Sequence, residues 1–567
     1  MIVACSARQT DPTRDGQVKE NEIQDVLQEE PVVQTSVADS SRHVARIRAY
    51  TCLIPDPAID RASADRAETF APIVHEIHAG LTRLSYGEDR VSVESALAEK
   101  YEVDDDGKQF AFTLRNDLKF SDGSALTTND VKWSWERALK KSSPGGRAIR
   151  ILGGIVGADG LITGRLDELA GVEIVDERKM FVHLGKARAA FPIMLTDPVA
   201  AVLNEVNVAQ WPTQWTNDAA DRVRNVEFEP HQLPVGAGPF MLVEFGVQNW
   251  HTTCRIVRNP HFWGESPSLD AVEFVTEPLL GDAEGDDIDF GAVHFARGEI
   301  DMRLLVGDEI AEIADGAANE PYRYSDSVGP ATLAYIVFNP EVAPFDGLNF
   351  RRAIVSASDT SIFKPGDDLP VAKRIVPASL RHAGADASRL PFNPDVGREY
   401  WDDSSDSTMP PIVFYDENPG WYAYMFRQLF NQWHAELGVN VIISSSLQLS
   451  DVPRRSMLFA IHSPPYPDVH AVLSPIPTIF GVNTSPEMIE LSKQLEEAAA
   501  ELDAVERARK YLAAENYALD QALVLPIWSF EAPWSHIVQP WVRGFTIPRY
   551  AGSVFEKVSF DETAPKR

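Results

Sequence analysis

The sequence predicts a chain of mixed α/β lobes, and three observations support this. The 567 residues exceed the usual size of one domain several times, so more than one lobe is expected. Val44–Ile54 alternates apolar and polar residues in the manner of a strand. Ala67–Leu84 places apolar side chains, among them Val74 and Ile77, at helical spacing. Such alternation of short strands with longer helices is typical of α/β folds.

Two later segments repeat the pattern. Gly420–Leu437 carries apolar residues at every fourth position, Gly438 is placed to end a helix there, and Val439–Ile443 has the composition of a strand. Asp503–Leu519 predicts a second such helix, followed by the apolar run Leu523–Trp528. Both helices are expected to pack on sheets.

Composition and charge exclude several classes of protein. Apolar residues make up 44% and charged residues 24% of the chain, which is ordinary for a folded globular protein. The 52 basic and 84 acidic side chains leave a net charge of −32, which argues against a nucleic-acid partner. No apolar run approaches the roughly 18 to 20 residues of a membrane-spanning helix. The three cysteines are too few for a disulfide scaffold.

The N-terminal segment predicts a lipid-anchored tether. Small and aliphatic residues lead directly into Cys5, in the manner of a bacterial lipobox, and Cys5 is the expected lipidation site. The basic and apolar parts of a signal peptide do not precede it in this sequence, and a chance cysteine near a cytoplasmic N-terminus is the alternative. The polar, acidic stretch that follows, within residues 1–43, is too poor in apolar residues to form a core. An exported protein held at a membrane surface fits this pattern.

Metal and calcium sites are poorly supported. Asp282, Glu284 and Asp286 imitate the start of a calcium loop, but Asp287 stands where a glycine is required. His75 and His78 lie three apart on a predicted helix, which is only half of a metal site. No metal and no cofactor is expected.

No familiar catalytic signature occurs in the chain. The nucleophile elbow, the zinc-protease motif, the Walker loop and the dinucleotide-binding glycine pattern are all absent. A glycosidase with two carboxylates has no fixed spacing and is kept as an alternative. The chain is predicted not to be an enzyme.

The most informative segment is Phe110–Leu139, which reads FAFTLRNDLKFSDGSALTTNDVKWSWERAL. Physically it predicts a strand, a tight turn at Asp122 and Gly123, a strand, and a helix that opens at Thr127 and Asp130. The same string resembles the signature of bacterial extracellular solute-binding protein family 5, the peptide and nickel receptors of ABC importers. In that family an FTLR strand, an FxDG turn, TxxDV and an ExAL-like helix follow in this order.

Further segments match the family in the same order along the chain. Pro234–Phe240 (PVGAGPF) is similar to the family's PVGTGPY, and Arg258–Gly264 (RNPHFWG) is similar to RNPDYWG. Gly298–Asp301 (GEID), Phe338 with Asn339, and Phe350–Ala353 (FRRA) resemble later family motifs. The resemblance extends from about residue 44 to about residue 560.

The resemblance implies a two-lobed, periplasmic-binding-protein-like fold with an additional inserted domain. Residues 44–84, 226–320 and 531–567 would form the first lobe, residues 85–225 the additional domain and residues 321–530 the second lobe. The segments that cross between the lobes would act as hinges. The implied function is capture of a peptide-like or other small polar solute and its delivery to the permease subunits of an ABC importer. Such a receptor is expected to be a monomer outside the cytoplasm.

The resemblance also points to one ligand-binding loop, and this chain departs from the family there. Peptide-binding members carry WxADYPDP, whose first aspartate accepts the peptide ammonium. The corresponding run from His462 to Asp468 is HSPPYPD, with Pro465 at that aspartate. Proline provides neither charge nor N–H, so a ligand with a free N-terminal ammonium loses a strong bond. An oligosaccharide or nickel receptor of the same family therefore stays open.

Eight residues are candidates for ligand contact, although core packing is the alternative for each aromatic residue among them. They are His462, Tyr466, Asp468, Trp421, Tyr424, Asn339, Trp528 and Phe530. Asp468 has a structural alternative as well, because an Asp after Pro commonly satisfies its own turn. Cys52 and Cys254 both fall on predicted strands, and either a disulfide between them or two buried thiols is compatible with the sequence.

Overall fold

The computed structural model describes most of the chain from the first strand onward. The described residues are 44–48, 72–86, 91–141, 146–211, 226–227, 229–248, 251–275, 290–305, 310, 313–314, 321–363, 371–381, 390–404, 412–415, 421–444, 456–481, 484–548, 550 and 552–565. Cys5, Cys52 and the acidic run at Asp282 lie outside them.

The strands fall into one large sheet and four small ones. In chain order they are β1 Val44–Arg48, β2 Thr82–Tyr86, β3 Val91–Ser95, β4 Ala98–Val103, β5 Gln109–Leu114, β6 Val172–Ile174, β7 Lys179–His183, β8 Val226–Glu227, β9 Phe240–Gln248, β10 His251–Arg258, β11 Ala271–Val275, β12 Met302–Leu304, β13 Arg323–Phe338, β14 Ile412–Tyr415, β15 Val441–Ser444, β16 Met457–His462, β17 Val524–Val538, β18 Val542–Arg543 and β19 Ser559–Phe560.

The helices vary from a single turn to nearly five. In chain order they are α1 Pro72–Ile77, α2 Thr128–Lys141, α3 Arg147–Leu152, α4 Ala158–Ile162, α5 Phe191–Met194, α6 Glu205–Val208, α7 Phe290–Ala296, α8 Leu348–Ser356, α9 Pro394–Ser404, α10 Trp421–Leu437, α11 Val469–Leu473, α12 Pro486–Ala500 and α13 Ala504–Asp520. No helix among the described residues is long and apolar enough to cross a membrane.

A nine-stranded sheet runs through the molecule in the order β16-β13-β17-β12-β1-β11-β10-β9-β8. Strand β1 is parallel to both of its neighbours, β11 and β12. The two longest strands, β13 and β17, are antiparallel to each other and join the two halves of the sheet. The mixed α/β fold predicted from the sequence is confirmed.

Close backbone contact explains the glycines of the PVGAGPF motif. A Cβ atom on Gly236 would lie 2.0 Å from the carbonyl oxygen of Ile77, and one on Gly238 would lie 2.3 Å from that of Glu76. The Gly238 N–H donates to the Ile77 carbonyl at 2.8 Å. The motif therefore seats α1 against the large sheet, and any side chain at these positions would separate them.

The helix predicted over Ala67–Leu84 is wrong in its second half. The described helix ends at Ile77, and Thr82–Tyr86 forms β2. Gly80 lies at the break, packed so closely that a Cβ there would be 2.9 Å from the Leu195 carbonyl oxygen. The apolar residue Leu81 fits the helical pattern by spacing, yet it is buried in the neighbouring core.

The family-signature segment folds nearly as predicted. Strand β5 is followed by a turn in which Gly123 has φ +87°, by a single bridge between Lys119 and Ala125, and by α2. The Asp130 carboxylate accepts the Thr127 N–H at 2.8 Å and so closes the start of the helix. The sheet β4-β5-β7-β6 and α2 enclose an apolar core of their own.

Two apolar cores lie in the second half of the chain. One contains Leu429 and Trp433 of α10, and the other contains residues of α12 and α13 such as Leu491 and Tyr511. Both predicted helices are confirmed, and Gly438, with φ +70°, follows the end of α10 as expected. The run predicted as Leu523–Trp528 is longer than expected, since β17 continues to Val538.

Candidate functional site

The two longest strands of the large sheet, β13 and β17, called the crossing strands below, are interrupted along their length. Between Val328 and Ala331 of β13 the register with β17 shifts, and Val328 is opposite Pro533. Pro330 lies within the shifted segment. Proline cannot donate to a sheet ladder, so one proline on each strand weakens the backbone pairing at this point. An interrupted ladder of this kind resists bending less than a continuous one.

A loop from the second half of the chain begins next to that interruption. Strand β16 ends at His462, which is opposite Leu333 on β13. The hydroxyls of Ser463 and Thr332 lie 3.2 Å apart and share a hydrogen bond. Thr332 itself is opposite Phe530 on β17, one residue from Glu531. The loop His462–Asp468, called the cleft loop below, is therefore fixed beside the crossing strands.

The imidazole of His462 supports the loop from within. Its Nε2 lies 2.8 Å from the carbonyl oxygen of Ala471 at a half-buried position. This contact ties the end of β16 to α11 and accounts for one of the two ring nitrogens. That His462 contacts the ligand stays a prediction. Any such contact would use the part of the ring that does not face Ala471.

Asp468 is the N-cap of α11. Its carboxylate accepts the N–H of His470 at 2.8 Å, and its own N–H donates to the carbonyl of Tyr466 at 2.9 Å. Burial raises the pKa of Asp468, while the hydrogen bond from His470 opposes that rise. This geometry matches the structural alternative given from the sequence, in which Asp468 satisfies the turn that it lies in.

Tyr466 is buried and paired with a histidine on the next helix. Its hydroxyl lies 2.7 Å from Nδ1 of His470, and 3% of the residue is exposed. Burial, with a smaller contribution from the Arg188 charge, lowers the pKa of His470 to about 3. The ring is therefore neutral near pH 7, and its Nδ1 shares a hydrogen bond with the Tyr466 hydroxyl.

The remaining candidates lie in different surroundings. Asn339 is buried, and its Oδ1 accepts the Glu341 N–H at 3.0 Å in the turn after β13. Trp528 is 5% exposed within the apolar core around α10, whereas Tyr424 is 70% exposed on α10 itself. The side chains of Trp421 and Phe530 lie outside the described part of the structure. The structure brings His462, Tyr466 and Asp468 together and leaves Asn339 and Tyr424 in separate environments.

Sequence reasoning missed the polar pair and the prolines at the crossing. Thr332 and Ser463 lie far apart in sequence and meet only through strand pairing. The prolines could have been found, because Pro330 and Pro533 interrupt runs that otherwise have strand composition. The segments after β1 and β11, at residues 49–71 and 276–289, lie outside the described residues.

The structure bears on two further hypotheses from the sequence, a metal site at His75 and His78 and a disulfide between Cys52 and Cys254. His75 and His78 line a cavity of about 330 Å³ beside α1, and burial together with Arg147 lowers the pKa of His75 to about 4. Within the described part of the chain, no group of three or more His, Cys, Asp or Glu side chains is placed to hold a metal ion. Cys254 is buried on β10, and its pairing with Cys52 stays a prediction.

Comparisons with known proteins agree on one family. The sequence profile of the bacterial extracellular solute-binding proteins, family 5 Middle, matches residues 92–454. The probable D,D-dipeptide-binding periplasmic protein DdpA of Escherichia coli (strain K12) is 23% identical over 481 residues, which are 82% of this chain and 84% of the relative. The oligopeptide-binding protein OppA of Bacillus subtilis (strain 168) is 23% identical over 494 residues, with the same two shares.

Solved structures share the fold at lower identity. The murein tripeptide binding protein MppA of Escherichia coli superposes with a TM-score of 0.62 at 18% identity, covering 92% of this chain and 98% of that one. NikA from Brucella suis, in complex with Fe(III)-EDTA, gives a TM-score of 0.63 at 17% identity, covering 91% and 100%. The two-lobed binding-protein fold with its additional domain therefore extends over nearly the whole chain.

Proposed function

Since this chain belongs to the bacterial extracellular solute-binding proteins of family 5, we propose that it is the receptor of an ABC importer and encloses a small solute between its two lobes. The interrupted pairing of β13 with β17 supports the proposal most directly. A continuous ladder would resist bending, whereas this one is weakened beside the cleft loop.

The proposed lobes follow the boundaries drawn from the sequence. Residues 44–84, 226–320 and 531–567 form the first lobe, residues 85–225 the additional domain and residues 321–530 the second lobe. The apolar cores around β1, around α2 and around α10 support this division in outline, with Leu203 and Trp211 in the core around β1 and Leu81 and Ala237 in the core around α2. The hairpin of β2 and β3 spans the boundary at residue 84, so the first lobe and the additional domain are joined by strand pairing as well as by the chain.

The ligand proposed is a peptide-like or other small polar solute that does not depend on a free ammonium group. Relatives are named for D,D-dipeptides and oligopeptides. In this chain the cleft loop has Pro465 at the position of the family's ammonium-binding aspartate, and Asp468 already caps α11. The polar groups proposed to face the solute are the hydroxyls of Thr332 and Ser463. The choice of solute would then depend on a few polar contacts and on how well the solute fits the shape of the cleft.

A nickel receptor is not favoured. The two histidines that suggested it lie together, but the described residues supply no third ligand beside them. An oligosaccharide receptor of the same family stays a second candidate, because a sugar also lacks an ammonium group.

The protein is further proposed to be held at the outer face of the cell membrane. The basis is the sequence alone: a lipobox-like segment ends at Cys5, and a polar, acidic stretch follows it. In a bacterial host, labelling with a fatty-acid analogue should mark the wild-type chain and not the Cys5→Ser variant. Equal labelling of both would contradict the anchor.

Isothermal titration with a matched peptide pair tests the ligand class. Trialanine and N-acetyl-trialanine differ at the ammonium group, so a receptor without the ammonium-binding carboxylate should discriminate between them by less than about tenfold. Strong preference for the unblocked peptide would contradict the proposed role of Pro465. Hydrolysis of either peptide during the titration would contradict the receptor itself.

A further inference from the structure

Tyr466 does not face the crossing strands with the rest of the cleft loop. Its side chain, with Ala471, joins the apolar core of the additional domain, which includes Phe110, Trp135 and Phe191. Among the described residues, Tyr466 and Ala471 are the members of this core that come from the second lobe. The loop thus reaches across a boundary between domains.

Charged groups surround Tyr466 from the additional domain. The charges of Arg188, Asp197 and Arg150 all act on its hydroxyl. Asp197 is buried and paired with Arg147 at 2.7 Å, so the neighbouring acid is itself neutralised. The Tyr466 hydroxyl shares a hydrogen bond with His470 on its own lobe, so this group has a polar partner at this point of the contact.

Three more contacts join the same two parts of the chain. The Ala189 N–H donates to the Ala499 carbonyl at 2.8 Å. Lys186 forms an ion pair with Glu496 of α12. A Cβ atom on Gly107 would touch the side chain of Leu502 at 3.4 Å, so the surfaces meet at van der Waals distance. The second lobe therefore docks on the additional domain as well as along the crossing strands.

We infer that Tyr466 is a positioning residue for closure: its buried ring docks the second lobe on the additional domain, so part of the free energy of closing comes from the protein and not from the solute. The inference rests on the proposed function, since closure around a solute is the step that Tyr466 assists. It also assigns the additional domain a task, which is to hold the second lobe in the closed arrangement. A receptor built this way has a populated closed form before any solute binds.

Zero-length cross-linking with a carbodiimide tests the docking in the full-length protein without added solute. The reagent joins an amine to a carboxylate that is already in contact, so Lys186 and Glu496 should become linked by an amide. Two ion pairs within single domains serve as controls: Lys510 with Glu501 at 2.6 Å, and Lys132 with Glu168 at 2.9 Å. Mass spectrometry of the digested protein then measures all three links.

Tyr466→Ala should lower the yield of the Lys186–Glu496 link about tenfold, because the ring loses its burial. Tyr466→Phe keeps the ring, and the hydroxyl that it removes bonds His470 within the same lobe, so its link yield should stay close to that of the wild type. Both control links should be unchanged. An unchanged Lys186–Glu496 yield in Tyr466→Ala, with both controls intact, would overturn the inference.

If Tyr466→Ala loses the control links as well, Tyr466→Leu decides, because it removes the ring and keeps an apolar side chain: its Lys186–Glu496 yield should fall with both controls intact, and an unchanged yield there would count against the role of Tyr466. Absence of the Lys186–Glu496 link from the wild-type protein would reject the docking altogether. None of these outcomes depends on identifying a solute. A failure of the receptor proposal would instead appear in the titrations, with the cross-links intact.

Discussion

The buried carboxylate of Glu76 accepts the backbone N–H of Val554 at 2.6 Å, although the two residues lie 478 positions apart. The same carboxylate accepts the Ser553 hydroxyl at 2.6 Å and the Phe555 N–H at 3.2 Å. One side chain on α1 therefore holds the C-terminal segment against that helix, and three donors depend on it.

Glu76→Ala is expected to reduce the free energy of unfolding by about 3 kcal/mol, because it leaves buried donors without an acceptor. Denaturant unfolding of the full chain measures the change. Glu94→Ala is the matched control, since Glu94 forms a half-exposed ion pair with Arg83 and should cost less than about 1 kcal/mol. Equal effects of the two substitutions would contradict the role assigned to Glu76.

Gly236→Ala should prevent stable folding or cost at least roughly 3 kcal/mol, because its Cβ would overlap the Ile77 carbonyl oxygen. Gly154→Ala provides the comparison, since nothing lies within 4 Å of a Cβ there and the expected change is within about 1 kcal/mol. Thermal unfolding of both variants tests the contact. Tolerance of alanine at Gly236 would show that the close approach is not required.

The pH dependence of stability should carry a contribution from His470. Above pH about 6.5 its ring is neutral in both the folded and the unfolded chain. At lower pH the unfolded chain takes up a proton that the folded chain resists down to a pKa of about 3. Stability should therefore fall on acidification, by at most about 1.4 kcal/mol per pH unit for this one group.

The difference between wild type and His470→Gln isolates that contribution, and His434→Gln, at an exposed position on α10, is the control. Burial raises the pKa of Glu76 to about 8, which gives a slope of opposite sign, but this slope cancels in the difference. The groups facing His470 are Tyr466, Asp468 and Arg188, and all three remain. A difference that does not vary between pH 7 and pH 4 would contradict the prediction.

Pro465→Asp should restore recognition of an ammonium group. We expect trialanine affinity to rise by about tenfold or more, in line with a charge-assisted hydrogen bond, while N-acetyl-trialanine is unaffected. Isothermal titration of both peptides measures this. If both affinities change alike, the position does not read the N-terminus.

The fold could largely be predicted because its signals are local. The turn at Gly123, the Asp130 cap and the apolar spacing of α10 each depend on a few neighbouring residues, and each is present in the structure. The predictions failed where contacts between residues far apart in the sequence determine where a helix or a strand ends. Leu81 has helical spacing, but the approach of Gly80 to Leu195 ends the helix first. The full length of β17 depends on its pairing with β13, which no short window of sequence contains.

The candidate site was predictable only in part for the same reason. The cleft loop could be located by resemblance, and the capping role of Asp468 by turn chemistry. The burial of the Tyr466 side chain could not be predicted, because it depends on Phe110, Trp135 and Phe191, which lie more than 200 residues earlier in the chain. A sequence window shows which side chains are apolar, but not which of two nearby cores will take them.

The central claim is that this chain encloses a small solute and releases it unchanged. Native mass spectrometry of the full-length protein, purified without denaturant, tests it most directly. The account predicts a species heavier than the bare chain by the mass of one small polar molecule, which is recovered intact on denaturation and raises the melting temperature when added back. Recovery of a cleaved or otherwise converted product, or a solute that leaves the melting temperature unchanged, would contradict it.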